Sequence, residues 1–121
     1  MNNSGINKVF LLGNVAREPR VHKIDGQPDM LCFTLLTKER LIKNGVLDEH
    51  CEYHNIKIQA DKVIDVVALK AGMLVYIKGK IKTTPSTDNQ NIKRYRTEII
   101  GEQIQVIFNV EMAAVRENVL V

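Results

Sequence analysis

"ADKVIDVVALKAGMLVYIKGKIKT", residues 60–83, decides the fold, because two periodicities meet in it at Gly72. Before the glycine, Val63, Val66, Val67 and the stem of Lys70 recur at i, i+3, i+4 and i+7. Asp61 is placed to cap the start and Gly72 to close the end, so the spacing predicts one interior helix. After the glycine, Val75, Ile77 and Ile81 leave one face of an extended chain while Lys78, Lys80 and Lys82 leave the other. A strand with one apolar face and one row of cations therefore follows the helix directly.

Outward from this block the chain reads as strands. "NKVFLLGNV" (7–15) is an apolar run broken by Gly13-Asn14, which predicts a bulge or bend. A loop with Pro19 and "DGQP" and a short extended piece lead to "MLCFTLLTKERL" (30–41), a long strand. "KNGV" (43–46) supplies the Asn-Gly of a tight hairpin. Its partner is "EHCEYHNIKIQA" (49–60), where Tyr53, Asn55, Lys57 and Gln59 share one face and Ile56 and Ile58 the other. Beyond the lysine strand, "TPSTDNQN" (84–91) predicts a polar turn and "IKRYRTEIIG" (92–101) a further strand. Alternation from Ile104 to Met112 predicts a last extended segment, after which "MAAVRENVLV" either continues it or turns helical. The order strand, strand, strand, helix, strand, strand predicts an all-β OB-fold. This is a five-stranded Greek-key barrel with one helix between strands 3 and 4, over residues 1–108 with an extension at 109–121.

Composition bounds the function. A chain of 121 residues, 45% hydrophobic, is one ordinary domain. Its apolar runs fall short of the roughly 18 residues of a membrane span, and no charged-then-apolar leader precedes the first strand, so a soluble cytoplasmic protein is expected. Cys32 and Cys51 form no CxxC and no metal-ligand spacing, which predicts neither zinc nor any other cofactor. No nucleophile–base motif, paired carboxylates or phosphate-cradling glycine loop is present, so the chain is not expected to be an enzyme. The net charge of +3 is mild, but its excess concentrates in Lys78, Lys80 and Lys82 and in "KRYR" (93–96). That concentration points to a polyanion.

Five blocks in order carry a resemblance. "GINKVFLLGNVAREP", "FTLLTKER", "CEYHNI", "AGMLVYIKGKIKT" and "RYRTEII", spread over roughly residues 5–107, resemble the bacterial single-stranded DNA-binding protein family. The resemblance implies an OB-fold subunit, commonly a homotetramer, that coats single-stranded DNA in replication, recombination and repair without strong sequence preference, in the bacterial cytoplasm at the nucleoid. Cations tracking the strand release counterions, and aromatic rings give sequence-tolerant platforms for bases. The nucleic-acid contacts it implies are Tyr53 and Lys57, Lys80 and Lys82, Arg94 and Arg96, and Lys38, Arg40 and Lys43. For the cations the ordinary alternative is a solvated face or turn, and for Tyr53 an interior ring. His54 and Tyr76 are expected at a subunit contact, His54 alternatively as a packing residue.

The sequence departs from the family in two ways. Where the family places stacking rings, this chain has Leu41, Tyr53, Gln59 and Ser86, and it has no Trp. Three missing platforms at about 1 kcal/mol each weaken binding by roughly a hundredfold, leaving an interaction expected to be more electrostatic and more salt-sensitive. The family's flexible linker and acidic tip, which recruits replication and repair proteins, do not follow "RENVLV", as expected of a short paralogue or a trimmed chain. The alternative function is that of the related primosomal replication proteins, short dimers with few tryptophans that act through protein interactions. A third reading is a structural adaptor.

Overall fold

Strict alternation in the long strands builds a closed sheet around one core. The computed structural model describes residues 4–63 and 69–108, with the backbone alone at Phe108. Six strands run in chain order: β1 (Val9–Val15), β2 (Arg20–His22), β3 (Met30–Lys43), β4 (Val46–Gln59), β5 (Leu74–Thr87) and β6 (Lys93–Phe108). Leu31, Phe33 and Leu35 of β3, Ile56 and Ile58 of β4, Val75 and Ile77 of β5, Ile99 of β6 and Val15 of β1 all point inward. The sheet order β1-β5-β6-β4-β3 is closed by pairing of β1 with β3, and the short β2 lies along β3. This is the predicted all-β, five-stranded barrel.

Closure requires Gly13. The sequence predicts a bulge or bend here, yet β1 pairs with β5 in unbroken register from Val9↔Gly79 to Asn14↔Leu74. Asn14 and Val15 also pair with β3, so β1 bridges two neighbours. A Cβ on Gly13 would collide with the Leu36 carbonyl oxygen. The glycine is there for close approach of two backbones rather than for a bulge. The irregularities of pairing lie instead between β5 and β6, one between Leu74 and Val75 and one between Lys78 and Gly79. Lys78 opposes Gln103 while Gly79 opposes Gly101, which leaves Glu102 as the extra residue. Lys8 reaches that residue, with Nζ 3.2 Å from Oε2.

Three predicted element boundaries shift. The polar stretch 84–91 is not a loop throughout, since β5 continues through Thr87 and the turn spans only Asp88–Ile92. The segments 92–101 and 104–112 are not separate, because β6 runs unbroken from Lys93 to Phe108. Asp61 does not cap, since Gln59 precedes a 3₁₀ turn at Ala60–Lys62 with Asp61 inside it. Residues 69–72, where the sequence predicts the helix to end at Gly72, are not helical, while its residues 64–68 and the predicted extension 109–121 lie outside the described residues. No helix of the described residues is long and apolar enough to cross a membrane.

The ends of the barrel differ in kind. Val63, Leu69 and Met73, which flank the 60–73 connection, join the core at one end. At the other, β3–β4 and β5–β6 run past the core as two hairpin arms. Both arms leave the same end because β4 and β6 are parallel, paired at Ile56↔Ile99, Lys57↔Ile100 and Ile58↔Gly101. The first arm turns at Asn44 (φ 52°) and Gly45 (φ 77°), the left-handed pair that the predicted Asn-Gly turn demands.

Candidate nucleic-acid interface

Register places the predicted contacts in rows across the outside of the barrel. Cys32 opposes Lys57, Lys57 pairs with Ile100, and Ile100 opposes Lys80. The neighbouring rows bring Lys82 against Glu98, Thr84 against Arg96 and Ser86 against Arg94. Opposed residues leave the same side of a sheet, so Lys57, Lys80, Lys82, Arg94 and Arg96 share one face. On the β3–β4 arm, Leu36 opposes Tyr53, Lys38 opposes Cys51 and Arg40 opposes Glu49, which puts Lys38, Arg40 and Tyr53 on that face too. Lys43 alternates to the other side of the arm, at its tip, with Leu41. Eight of the nine predicted contacts thus leave one side of the sheet, and Lys43 does not.

Between β3, β4, β6 and β5 this face forms a groove of about 930 Å³ whose lining includes Lys57, Lys80, Lys82, Arg96, Ser86 and Ile100. A smaller recess of about 310 Å³ continues from it past Glu98 and Asn55 to Arg17 and Arg20. Glu98, shared by the two, lies 3.7 Å from the Arg96 Nε and has a largely buried side chain, and Glu18 also lines the recess. Among the described residues no carboxylate pairs with Lys38, Arg40, Lys57, Lys80 or Lys82. Arg94 is tethered, its Nε donating to Asp88 Oδ2 at 3.1 Å. Asp88 also accepts from the backbone N–H groups of Gln90 and Ile92 at 2.9 Å each, closing the turn. The Ile92 N–H above all, and then Arg94 and Gln90, hold the Asp88 carboxyl below its usual range, against an opposing effect of desolvation.

Tyr53 stands 66% exposed, which rules out the interior reading. His54, its neighbour in sequence, points to the inner side of the arm, where its Nε2 lies 2.9 Å from the Thr37 hydroxyl. One exposed ring was not singled out from the sequence. Tyr95 is also 66% exposed and sits on the reverse of the β5–β6 arm, with Lys93 Nζ 5.5 Å from its centroid. Its place inside "KRYR" was the available signal; the arginines drew the reading instead.

A different surface occupies the outside of β1 and the first half of β5. Phe10 opposes Lys78 and Leu12 opposes Tyr76, and the Phe10 and Tyr76 rings stack at 6.5 Å. Phe10 and Leu12 are 60% and 56% exposed.

Comparison with known proteins settles the kinship of this barrel. The model of the single-strand binding protein family matches residues 6–107. The chain belongs to that family. It falls among binding proteins and not among enzymes. The single-stranded DNA-binding protein of Bacteroides thetaiotaomicron is 33% identical over 107 residues, covering 84% of this chain and 66% of the relative. Single-stranded DNA-binding protein 1 of Chlorobaculum tepidum is 34% identical over 107 residues, covering 85% and 65%. The chain thus spans just under two thirds of these relatives. Among solved structures, the Plasmodium falciparum SSB in complex with ssDNA matches with a TM-score of 0.76 at 27% identity, over 90% of this chain and 99% of that one. A deletion mutant of the single-stranded DNA binding protein from Thermus aquaticus matches with a TM-score of 0.74 at 19% identity, over 88% and 52%, a likeness of fold.

Proposed function

We propose that the chain binds single-stranded DNA with little regard to base sequence, serving to coat and protect it in replication, recombination and repair. The observation that carries this reading is the convergence of Lys57, Lys80, Lys82 and Arg96 on one open groove, with Tyr53 on the same face. Kinship with single-stranded DNA-binding proteins, one of them solved with ssDNA, supports it. Phosphates occupy the lysines, and the strand meets Arg96 beside Glu98, whose largely buried carboxylate lies 3.7 Å from the Arg96 Nε. Tyr53 takes one base, while Leu41, Gln59 and Ser86 offer no ring where the family stacks others. Affinity then rests on counterion release, and four phosphate contacts give a log–log salt slope of about −3.

Self-association belongs to the same proposal. The Phe10, Leu12 and Tyr76 surface is the exposed apolar face a second copy would cover, and a homotetramer is the arrangement proposed. His54, held by Thr37, is assigned to packing within its own arm. The dimer of a primosome-type protein would use the same apolar face, and mass in solution separates two subunits from four. Titration of labelled oligo-dT, followed by anisotropy at low and then moderate salt, tests the binding itself. Tight binding that falls steeply with salt is expected, and no binding at low salt overturns the proposal in favour of an adaptor.

A further inference from the structure

The β5–β6 arm has a reverse face that the groove does not use. Thr83 opposes Thr97, Pro85 opposes Tyr95 and Thr87 opposes Lys93, so these side chains leave the side opposite to Arg94 and Arg96. Lower down, this same side is the barrel interior, where Ile99 is buried against the core. Past the rim no strand of the described residues covers it, and Tyr95 stands in solvent beside Lys93.

We infer that Tyr95 and Lys93 form an additional stacking station for single-stranded nucleic acid on the reverse of this arm. The inference rests on the proposed function and extends the path of the strand beyond the groove. A base takes the place of the Lys93 ammonium, which sits over the Tyr95 ring, and the displaced ammonium pairs with the adjoining phosphate. Charge favours this occupant. The reverse face carries Ile81, Thr83, Pro85, Thr87, Tyr95 and Thr97 with Lys93, all neutral or cationic, so an anionic strand meets no carboxylate on it. The path is also continuous. Arg94, at the far end of the groove face and tethered there by Asp88, lies between Lys93 and Tyr95 in sequence, so a strand rounding the edge of the arm reaches Lys93 within one residue rise of roughly 3.3 Å. The Thr83 and Thr97 hydroxyls bond each other at 3.1 Å and do not compete for the Tyr95 hydroxyl. Pro85 opposite the ring offers a rigid apolar flank that costs little side-chain entropy to order.

The location gives the test, because only a strand long enough to leave the groove reaches Tyr95. Anisotropy titrations use oligo-dT of about 6 and about 16 nucleotides, the range of site sizes for such folds. Tyr95→Ala is expected to weaken the long oligonucleotide about tenfold and leave the short one unchanged, while Tyr95→Phe keeps both. Lys93→Ala is expected to flatten the salt slope for the long oligonucleotide by about 0.7. The inference is overturned if Tyr95→Ala leaves long-strand affinity intact, if it weakens both lengths equally as a damaged arm would, or if it changes only the subunit number. Wild-type protein that binds neither length removes the proposed function and this extension together; wild-type binding with no Tyr95 effect removes the extension alone.

Discussion

Lys78 and Lys80 stand two residues apart on one side of one strand, yet they belong to different surfaces. Lys78 is half-buried beside Phe10 and Tyr76, under the span where β1 covers β5. Lys80 is exposed and faces Lys57 across Ile100, where β1 has ended and β4 has joined β6. The extra residue Glu102 sits at the change. What a side chain on a barrel does is therefore set less by its own type than by which strand comes next. Along β5 the neighbour changes from an apolar strand, proposed above to meet a second copy, into a basic groove, proposed above to meet phosphate.

The strongest perturbation erases both surfaces at once. Leu35 is fully buried beneath them, and Leu35→Ala is expected to cost about 2–5 kcal/mol, read as a drop in the urea midpoint. Should DNA binding fail in that variant while the subunit number survives, the two faces are less dependent on a common core than the packing implies. Next in size is a selective loss. Tyr53→Ala is expected to weaken oligo-dT by about 1–3 kcal/mol without altering the mass in solution, and Tyr53→Phe to keep the affinity. Phe10→Ser should do the reverse, separating subunits in light scattering while leaving the salt slope per groove unchanged. A Phe10 variant that keeps its mass breaks the assignment of the β1 side.

Much of this division was legible in the sequence. Period-2 alternation gave the strands and the inward face, because burial on one side of a sheet leaves no freedom of register. The same alternation collected eight of the nine predicted contacts on one face. Alternation does not say where a strand's neighbour changes, so Lys78, Lys80 and Lys82 read as one row. The extra residue at Glu102 leaves no mark of its own, since an alternating pattern on either side of it looks like two strands, 92–101 and 104–112. The polar residues 84–87 of the β5–β6 arm read as a loop because Thr, Pro and Ser favour turns, whereas in the arm they face solvent on both sides and need only backbone pairing. Gly13 was recognised as special, but a collision with Leu36 from a distant strand is invisible to local sequence.

A smaller effect sharpens the comparison from the basic side. Lys80→Ala with Lys82→Ala is expected to flatten the salt slope by about 1.4, two phosphate contacts' worth, with no change in preference among bases. Lys78→Ala, one step along the same row, is expected to leave the slope unchanged. Equal effects from Lys78 and Lys80 would mean that the apolar and basic halves of β5 are not separate surfaces.

The smallest effect concerns how the arm is held in place. Asp88 closes the turn and tethers Arg94, and its carboxyl is shifted below the usual range because its ionised form accepts the Ile92 and Gln90 N–H groups and the Arg94 Nε–H. A carboxylate whose folded pKa lies below its unfolded value of about 3.9 stabilises the fold above that pH, and the stabilisation is lost as pH falls through the folded value. The group is exposed, so the consequence is local. Amide resonances of Gln90 and Ile92 should shift together with a midpoint below about 3.9, and Asp88→Asn should abolish the shift. Arg94→Gln should raise the midpoint less than loss of the turn does, because the Ile92 backbone is the larger cause. A midpoint at or above 3.9 would mean that the carboxylate does not hold the turn, and Arg94 would then be as free for phosphate as Lys80.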